Sequence, residues 1–593
     1  MKHLTFLSVL TICCFLASCG GGVEADPNEV ELIYTTDIHG EFIPYNFLCQ
    51  EFDSVGVANI SSYVSEARKA DPEGVILLDG GDLVEGTPPM YFYNYEAVRE
   101  PHLSSRIINY MKYDALCVGN HDLESGESVY ADHLRRDYQM PWLAANAIDT
   151  RTGESMFEPY CMIERKGRRI AILGLITSET DQWLPRAAIP HLHFISMLDA
   201  AKRWIPIIEE REHPDMIIGL FHAGHEEVVR KDENGEKYKD GAMLVAQQVR
   251  GFDLVLLGHD HLNEDKTIVN DFGDSVRIAQ PMAHADEFAT VRIRFEEGRK
   301  ANQHARASFT SEIHNTKDYP FDEDYLKQIV GYKERIDQFL DRPVGNVSET
   351  LNAESSLVGP SNLIDLIHVV QLYNTNADIS FVSCLSNFTN IESGDLTMRQ
   401  LFSIYKYDNL VTKMWMYGHE VKRFLEYGYG RQFNQMKSPD DHLLAFKYSP
   451  EGEILMGRFG PELVTPQYNF TQAAGINYVV DVRKPVGERV TIESLADGRP
   501  FDMNQKYFVA LSSHQASGGG GFLPYGLEWN SDDCEFHTVT ASVKDMRSYI
   551  SEFICRIDSG QSLFLGSWRV EPYEWWLNAK QRDIDLLTPY LKR

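Results

Sequence analysis

The chain has 593 residues, which is enough for about two to four domains around a large core. Its 43% hydrophobic and 24% charged residues are ordinary for a globular protein. The formal charge of −31, from 87 acidic against 56 basic side chains, opposes nonspecific binding to nucleic acid polymers or anionic lipid. No nucleic acid polymer is therefore expected as a partner. A small anionic substrate remains compatible with this charge, because bound metal ions reverse the local field.

Residues 1–18 are predicted to be a lipoprotein signal peptide. A short basic start, Met1–His3, precedes the apolar run Leu4–Leu16, which is too short for a permanent transmembrane helix. The following Leu-Ala-Ser-Cys sequence, ending at Cys19, resembles a bacterial lipobox in which Cys19 carries the lipid. We therefore expect a lipid-anchored tether at 19–28 and an envelope lipoprotein, on the periplasmic face or the cell surface of the outer membrane. Ordinary secretion is the alternative.

Five apolar, β-rich runs in the first 261 residues each end in polar side chains. The runs and their endings are Glu31–Thr36 with Asp37 and His39, Gly74–Leu78 with Asp79 to Asp82, Tyr113–Val118 with Gly119 to Asp122, Met216–Phe221 with His222 and His225, and Phe252–Leu257 with Gly258 to His261. Helix-like segments lie between them, such as Val57–Lys69 and Asp199–Glu210. Alternating strands and helices predict an α/β sandwich whose active groups collect at the carboxyl ends of the strands.

The residue types and their spacing indicate a metal centre. Residues i and i+2 leaving a strand share one face, so Asp37 and His39 can both point at one ion, as can His259 and His261. Carboxylate, amide and imidazole groups together suit divalent ions such as Mn, Zn, Co or Fe(II). The remaining histidine near these motifs, His225, is interpreted as a surface or neighbouring group, and so is His284.

In this order the motifs resemble those of the binuclear, calcineurin-like metallophosphoesterases. Leu143–Tyr160 (LAANAIDTRTGESMFEPY) and Ile170–Thr180 (IAILGLITSET) narrow the resemblance to the bacterial 5'-nucleotidases and 2',3'-cyclic-nucleotide 2'-phosphodiesterases. The resemblance covers Glu29–Phe295. It implies a four-layer α/β-β/α catalytic domain, placed at 29–317, that hydrolyses phosphoric monoesters or cyclic diesters.

The resemblance also implies two divalent metal ions, of the Mn, Zn, Co, Fe or Mg type. One would be held by Asp37, His39, Asp82 and His261, and the second by Asp82, Asn120, His222 and His259, with Asp82 bridging. Two such ions can activate a water molecule and neutralise the phosphoryl oxygens for an in-line displacement. His121 would not be a ligand. It would serve the leaving oxygen as hydrogen-bond donor or acid, oriented by a nearby carboxylate.

That orienting carboxylate is where the chain departs from the family pattern. The family usually reads Asn-His-Glu-Phe-Asp, whereas this chain reads Asn120-His121-Asp122-Leu123-Glu124. The register favours Glu124, whose side chain is one methylene longer than the family's aspartate. Asp122 is the alternative.

A helix is predicted between the two dissimilar halves, at Asp322–Asp341. Its apolar positions, which alternate at four- and three-residue steps, form one stripe: Tyr325, Ile329, Tyr332, Ile336 and Phe339. Arg342-Pro343 ends it. A plain surface helix would give the same pattern, but the position of this one, and the use of a helix there in the family, favour a bridging segment at 318–342.

Residues 343–593 resemble the α/β C-terminal, substrate-binding domain of the 5'-nucleotidases. A helix is predicted at 361–374 and a strand at 377–383. The segments Tyr407–Asn409, Phe433–Gln435 and Ala516–Gly520 are similar to those of the cyclic phosphodiesterase subgroup.

The same family holds the base between two aromatic rings, and the matching positions here are Tyr407 and His514. Asn409, Gly518 and Gly519 complete the candidate substrate-binding set, and the run Gly518–Gly521 indicates either close backbone approach or a flexible turn.

Three further positions depart from the nucleotidase pattern. Ala353 and Phe388 stand where it has arginines, and Gly520 stands where it has an aspartate. The loss of charged contacts weakens the case for 5'-mononucleotides and favours a cyclic or different phosphoester.

We therefore expect a metal-dependent phosphoesterase that hydrolyses nucleotides through a two-metal activated water, as a 5'-nucleotidase, a 2',3'-cyclic-nucleotide phosphodiesterase, or both. One alternative is the same chemistry on a nucleotide-sugar, a sulfur ester or another phosphoester. The other is a lipoprotein that binds nucleotides without turnover.

Overall fold

The computed structural model describes residues 25–225, 228–231, 237–296, 307–385, 390–457, 460–556 and 563–591. The predicted signal peptide and Cys19 lie outside these residues. Within the described part of the chain, none of the helices combines the length and apolar character needed to span a bilayer.

Two six-stranded sheets form the N-terminal half. In spatial order, the first sheet contains Ala307–Asn315, Glu287–Phe295, Glu29–Thr35, Val75–Asp79, Ala115–Cys117 and Trp142–Leu143. The second contains Glu264–Val269, Ser275–Gln280, Leu254–Leu257, Met216–His222, Arg168–Ile176 and Tyr160–Arg165. The central strands of each sheet are parallel and the antiparallel pairs lie toward the edges. The carboxyl ends of the central strands therefore open on a common edge.

Helices cover the outer face of each sheet. Leu32, Ile218 and Leu256 belong to the apolar layer that fills the space between the two sheets. Met197–Glu212 and Ala242–Gln248 pack on the far side of the second sheet. The first sheet is covered by Val57–Ala70 and Leu103–Met111. The arrangement has four layers, and the predicted α/β-β/α sandwich is confirmed.

Shorter elements complete this half. The helices are Pro88–Tyr91, His121–Glu124, Arg135–Asp137 and Thr180–Trp183, and the strands are Tyr45–Asn46, Glu51–Phe52, Ala147–Asp149, Leu192–Phe194, Val228–Lys231 and Lys237–Asp240. The short helix His121–Glu124 begins directly after a strand end, so it holds two of the candidate catalytic side chains on one turn.

The predicted connecting helix is present at Glu323–Leu340, and the carboxylate of Asp322 caps its first turn. The hydroxyl of Tyr325 donates to the carbonyl of Phe42 in the N-terminal half at 2.6 Å. From the C-terminal half, the guanidinium of Arg399 donates to the carboxylate of Asp337 at 3.0 Å. The helix thus contacts both halves, as a bridging helix should.

The C-terminal half contains a five-stranded sheet and a three-stranded sheet. In spatial order these are Thr471–Ala474, Ile379–Ser383, Lys506–Ser512, Leu410–Tyr417 and Thr538–Asp545, and then Val490–Leu495, Ile476–Asp481 and Trp568–Glu571. The short strand pairs are Pro343–Val347 with Gly394–Thr397 and Met456–Gly457 with Gly460–Pro461.

The helices of this half are Asn362–Thr375, Met398–Ile404, Gly418–Gln432, Ser513–Ala516, Ser531–His537, Met546–Ile554 and Tyr573–Leu591. The helix predicted at 361–374 and the strand predicted at 377–383 are both present, each displaced by no more than two residues.

A buried arginine fixes the loop that carries Tyr407. The guanidinium of Arg547 donates to the carbonyls of Tyr405 at 3.1 Å and Lys406 at 2.9 Å, and it forms an ion pair with Asp408. The same guanidinium lies 4.6 Å from the centre of the Tyr91 ring, which belongs to the N-terminal half. The loop is therefore held at the boundary between the two halves.

Candidate binuclear metal centre and active site

The seven predicted ligands converge where the central strands of the two sheets end. Six of these side chains form two groups of three. Within each group, the ligand atoms lie within 4.8 Å of one another. The first group is Asp37, His39 and His261, and the second is Asp82, His222 and His259. Asn120 joins the second group, because its Oδ1 lies 3.2 Å from Nε2 of His222.

Asp82 lies between the two groups. Its Oδ1 accepts a hydrogen bond from the backbone N–H of His121 at 2.8 Å. Its Oδ2 is 3.1 Å from Nε2 of His222 and 4.0 Å from Nε2 of His39. This oxygen is buried and has no hydrogen-bond partner among the residues that the structure describes. A buried carboxylate oxygen without a donor is costly unless something positive meets it, so the position fits a bridging cation ligand.

The histidines present their Nε2 atoms to this centre. Nδ1 of His222 is hydrogen-bonded to the carbonyl of Gly80 at 2.8 Å, which leaves Nε2 free to act as a ligand. Nε2 of His39 and Nε2 of His261 lie only 3.0 Å apart, and Nε2 of His261 is 3.4 Å from Oδ1 of Asp37. Such close approach of imidazole and carboxylate groups is typical of a divalent metal site.

The electrostatics also call for positive charge. Burial alone would lower the pKa of His222, but the carboxylates of Asp82 and Asp37 outweigh it and raise the pKa to about 9. The carboxylates thus favour a positive charge on His222, at a position where a metal ion would also be stabilised. The donor set and its charge both fit divalent cations.

Left-handed backbone conformations bring these side chains together. Of the thirteen non-glycine residues with positive φ in the described part of the chain, six lie at this centre: Asp37, His39, Asp82, His259, His261 and His284. Each such conformation costs about 1–3 kcal/mol and persists only where the surroundings enforce it. Space is equally tight, because a Cβ on Gly119 would lie 2.1 Å from Oδ1 of Asp82. The backbone at these strand ends is therefore strained, and the strained conformations place the side chains at the site.

One spacing prediction is corrected here. Asp37 and His39 lie in one group, as their i, i+2 spacing predicts, but the same prediction is wrong for His259 and His261. His261 joins Asp37 and His39, whereas His259 joins Asp82 and His222, as the family resemblance implies. All four residues of the two pairs have positive φ, between 48° and 81°, so backbone conformation alone does not decide the allocation.

The two candidate orienting carboxylates have different surroundings. Oε2 of Glu124 lies 3.1 Å from Nδ1 of His121. Asp122 is fully buried and accepts hydrogen bonds from four backbone N–H groups, those of Asp82, Leu83, Val84 and Gly119, at 2.8–3.2 Å. The geometry favours Glu124 as the partner of His121, and it gives Asp122 the task of holding the loop that carries Asp82.

Carboxylates also set the charge of His121. Burial would lower the pKa of this imidazole, but Glu124, Asp82 and Glu85 outweigh burial and hold the pKa well above its usual value. The ring is therefore protonated near neutral pH, which suits a group that donates to a leaving oxygen.

Comparison with known proteins agrees with this geometry. Residues 31–263 match the family model described as calcineurin-like phosphoesterase, and residues 343–525 match the one described as 5'-nucleotidase, C-terminal domain. The chain therefore combines a calcineurin-like phosphoesterase domain with a 5'-nucleotidase C-terminal domain. It is thus a hydrolase of the phosphoesterase class, and the matched ranges fall inside the predicted domains. The domain boundaries themselves stay predictions.

Individual relatives are distant. A 2',3'-cyclic-nucleotide 2'-phosphodiesterase/3'-nucleotidase from Yersinia enterocolitica is 21% identical over 92% of this chain and 88% of its own length. The trifunctional nucleotide phosphoesterase protein YfkN from Bacillus subtilis is 23% identical over 83% of this chain, which spans only 36% of that protein's length. A solved structure of a candidate 5'-nucleotidase from Staphylococcus aureus superposes with a TM-score of 0.70 and 18% identity, over 91% of this chain and 99% of its own. This structural likeness supports the fold.

Two residues near the centre were not predicted to be site residues: Glu85 was not singled out, and His284 was interpreted as a surface or neighbouring group. Glu85 follows Asp82 by three positions, and its buried carboxylate lies 3.5 Å from Nδ1 of His39. Burial would raise the pKa of Glu85, but the hydrogen bond from His39 and the charge of His121 lower it to about 2. The ring of His284 lies 5.1 Å from that of His39, and its backbone N–H donates to the carbonyl of Asp37 at 2.8 Å.

The available signals for these two residues were weak. A glutamate after the Gly-Asp motif looks like an ordinary loop residue, and a lone histidine looks like a surface group. His225, in contrast, lies as expected at the periphery, with its ring 3.7 Å from the carboxylate of Glu264.

Two loops of the C-terminal half reach toward this centre. Burial raises the pKa of Tyr407 to about 12, with contributions from the neighbouring Tyr468 and Glu85. Desolvation lowers the pKa of His514, and the nearby His121 lowers it further. The two predicted stacking residues therefore lie within electrostatic range of Glu85 and His121 of the N-terminal half, respectively. Their substrate-binding roles stay predictions.

The glycine run shows close packing rather than a loose turn. Gly518, Gly520 and Gly521 have positive φ. A Cβ on Gly519 would lie 2.3 Å from the His514 ring, and one on Gly520 would lie 2.8 Å from Oδ1 of Asn469. The backbone at Gly520 therefore leaves no easy room for the aspartate of the family pattern.

The remaining predicted substrate-side positions, Asn409, Ala353 and Phe388, have different surroundings. Asn409 hydrogen-bonds the side chain of Tyr405, which indicates a structural contribution to the loop. Ala353 is fully buried, so this position offers no side chain to a substrate phosphate. Phe388 lies outside the described residues.

Matched substitutions separate the two carboxylates that flank His121. In Asp122→Asn, the amide nitrogen would replace one oxygen and leave about two backbone N–H groups unpaired. We expect this change to lower the free energy of unfolding by about 2–4 kcal/mol. In Glu124→Gln, on a part-exposed side chain, we expect less than about 0.5 kcal/mol but at least a tenfold loss of kcat. Denaturant unfolding and steady-state kinetics on both variants measure this, and the reverse pattern would give the orienting role to Asp122.

Proposed function

We propose that the protein hydrolyses nucleotides, as a 5'-nucleotidase, a 2',3'-cyclic-nucleotide phosphodiesterase, or both. One observation carries the proposal. The loops with Tyr407 and His514 come from the C-terminal half, yet both residues lie within electrostatic range of Glu85 and His121 of the N-terminal half, respectively. A base held between two flat rings would thereby present its phosphate to the metal-type cluster.

The proposed roles follow from the positions of the side chains. Asp37, His39, Asp82 and His261 would hold one divalent cation, and Asp82, Asn120, His222 and His259 the other. When bound, the two cations supply Lewis-acid stabilisation of the phosphoryl oxygens. The mixture of imidazole and carboxylate donors favours Mn, Zn, Co or Fe over Mg.

The chain's own groups act on the leaving side. His121, charged and paired with Glu124 at 3.1 Å, would donate its proton to the leaving oxygen of the ester. Asp37, His39, Asp82 and His222 are buried, which strengthens the electrostatic interactions of these four ligands.

The names of the relatives support the substrate class. One is a 2',3'-cyclic-nucleotide 2'-phosphodiesterase/3'-nucleotidase, and another is a trifunctional nucleotide phosphoesterase. Nucleotides are therefore the first substrates to test.

The deciding experiment is a substrate panel with Mn at saturation: adenosine monophosphate, 2',3'-cyclic AMP and UDP-glucose. We expect hydrolysis of at least one of the first two: release of phosphate and adenosine from adenosine monophosphate, or opening of the cyclic ester of 2',3'-cyclic AMP to an adenosine 2'- or 3'-monophosphate. Turnover of UDP-glucose alone would change the substrate class to nucleotide-sugars. This outcome is tested because the buried Ala353 offers no charged contact to a nucleotide phosphate. Tight nucleotide binding without turnover under any metal would favour the binding-only alternative.

Removing the Tyr407 ring tests the stacking contact. In Tyr407→Ala, we expect kcat/KM for nucleotides to fall about tenfold to a hundredfold, because a base–aromatic stack contributes about 1–3 kcal/mol. The activity on p-nitrophenyl phosphate, which has no base, should stay within about twofold. Tyr468→Ala, at a half-exposed neighbouring ring, is the matched comparison. Equal losses on both substrates would contradict a base-stacking role.

We further propose that Cys19 anchors the protein to the outer membrane by a lipid, at the periplasmic face or the cell surface. The lipobox-like sequence supports this. Metabolic labelling with palmitate tests it, since Cys19→Ala should abolish labelling and leave the protein unanchored; labelling that survives this change would refute the anchor.

A further inference from the structure

A single carboxylate oxygen faces two functional histidines. Oε2 of Glu85 lies 3.5 Å from Nδ1 of His39 and 3.9 Å from Nδ1 of His121. Glu85 is buried, with 7% of the residue exposed. The two histidine rings are neighbours as well, because their centroids lie 5.3 Å apart in an edge-to-face arrangement. One charged group thus lies against the same nitrogen of a metal-type ligand and of the leaving-group histidine.

The backbone around Glu85 is fixed from two sides. The carboxylate of Asp122 accepts hydrogen bonds from the N–H groups of Leu83 and Val84, at 2.8 and 3.2 Å. On the other side, the N–H of Gly40 donates to the carbonyl of Leu83 at 3.0 Å. Glu85 is therefore placed by hydrogen bonds on the residues just before it.

The turn after Glu85 is equally constrained. Gly86 has φ +104°, and a Cβ there would lie 3.2 Å from the carbonyl oxygen of His39. The chain bends closely around His39 at this point. The carboxylate of Glu85 therefore has a defined position relative to the imidazole.

The orientation of the two histidine rings determines what the carboxylate of Glu85 can do. Nε2 of His39 faces the metal-type cluster, 4.0 Å from Oδ2 of Asp82, while Nδ1 faces Glu85. A carboxylate on Nδ1 fixes the tautomer and the angle of a ligand histidine, and makes its Nε2 a better donor to a metal. In His121, the same carboxylate and that of Glu124 both approach Nδ1. The opposite nitrogen of that ring is left to donate to a leaving oxygen.

We propose that Glu85 is a positioning residue that orients His39 toward the metal centre and His121 toward the leaving group with one carboxylate. The part that concerns His121 rests on the proposed function. The part that concerns His39 depends only on metal binding. Glu85 would thereby link metal affinity to leaving-group chemistry.

Glu85→Gln is the principal test, because glutamine keeps the shape but offers only one oxygen acceptor. We expect the apo-protein to bind Mn about tenfold to a hundredfold more weakly in a chelator competition. At saturating Mn, we expect kcat to fall at least tenfold on phenyl phosphate, a poor leaving group. The fall on p-nitrophenyl phosphate should be at most about threefold, because a good leaving group needs little help from His121.

The matched control is Glu127→Gln. Glu127 follows Glu124 by three residues, outside the helix His121–Glu124, and its carboxylate is 3.4 Å from Arg151 rather than near either histidine. This variant should keep wild-type Mn affinity and the wild-type ratio of the two kcat values. Glu85→Asp, which retains the charge with a shorter reach, should recover part of both losses, and thermal unfolding of each variant shows whether it is folded.

Three results would overturn the proposal. One is wild-type Mn affinity in folded Glu85→Gln, together with equal losses on the two aryl phosphates. The second is a failure of Glu85→Asp to recover either loss. The third is an additional bound cation that disappears in Glu85→Gln, since Glu85, His121 and Glu124 place ligand atoms within 4.8 Å of one another and would then be ligands. None of these readouts uses a nucleotide, so failure of the proposed substrate class leaves the test readable.

Discussion

Replacing Asp82 by Asn is expected to remove both metal ions and about a thousandfold or more of kcat/KM. Oδ2 of Asp82 lies between the two ligand groups, 3.1 Å from His222 and 4.0 Å from His39, and has no other partner among the described residues. An amide cannot supply a negative charge shared by two cations. Two cations contribute several kcal/mol to phosphoryl transfer, and each 1.4 kcal/mol corresponds to about tenfold in rate. Atomic absorption of the purified protein and a kinetic assay with added Mn measure both effects.

Asp79→Asn is the matched control for this change. Asp79 is also fully buried, three positions earlier in the same motif, but it accepts hydrogen bonds from Thr35 and from the N–H of Gly81. Burial raises the pKa of Asp79 well above its usual value, which favours the neutral carboxyl group, and asparagine has the same shape without a charge. Metal content and activity should be retained. A metal-free Asp79→Asn, or a fully loaded Asp82→Asn, would contradict the bridging role.

The sequence allowed the sandwich and its ligand set to be predicted for a clear physical reason. Parallel strands that alternate with helices must end on one edge of a sheet, so polar residues after each strand necessarily approach one another. Met216–His222 and Leu254–Leu257 lie within two residues of the runs seen in the sequence. The bridging helix was predicted from an amphipathic stripe, which depends only on neighbouring residues in the chain. The helix is present where that pattern placed it.

The allocation of individual side chains was not local. His259 and His261 join different groups, whereas Asp37 and His39, with the same spacing and the same left-handed backbone conformation, join one. Those conformations are imposed by contacts from distant strands, for example the bond of the His259 N–H to the carboxylate of Asp37 at 3.0 Å. Only the family resemblance carried this information in advance.

Glu85 shows the same limit more strongly. Nothing in Asp82-Leu83-Val84-Glu85 distinguishes this carboxylate from a solvated loop residue. Its position depends on a loop whose Leu83 and Val84 N–H groups donate to Asp122, which lies 39 and 38 residues further along the chain. Asp122 and Glu124, where the chain departs from the family pattern, therefore have different surroundings. Asp122 supports the loop and Glu124 lies beside His121, although the sequence presented them as alternatives for orienting that histidine.

Replacing His121 by Gln is expected to produce the second large effect, and to do so selectively. A general acid contributes about a hundredfold to ten-thousandfold in rate. We therefore expect a loss of that size in kcat for nucleotides, whose sugar alkoxide leaves poorly, and a loss below about tenfold for p-nitrophenyl phosphate. His121 shares no ligand atom with the two metal-type groups, so metal content should remain at the wild-type level. His225→Gln, at an exposed ring near Glu264, is the control and should match the wild type.

The pH dependence gives an independent check on the same residue. Glu124 holds the pKa of His121 above its usual value, so the proton that the leaving group needs is present below this raised pKa and is lost as the pH rises through it. In Glu124→Gln, the alkaline limb of kcat for nucleotides should therefore move to lower pH, while in His121→Gln that limb should disappear. If the limb stays in place in His121→Gln, another group donates the proton, and the pairing of His121 with Glu124 at 3.1 Å must then serve binding rather than the departure of the leaving group.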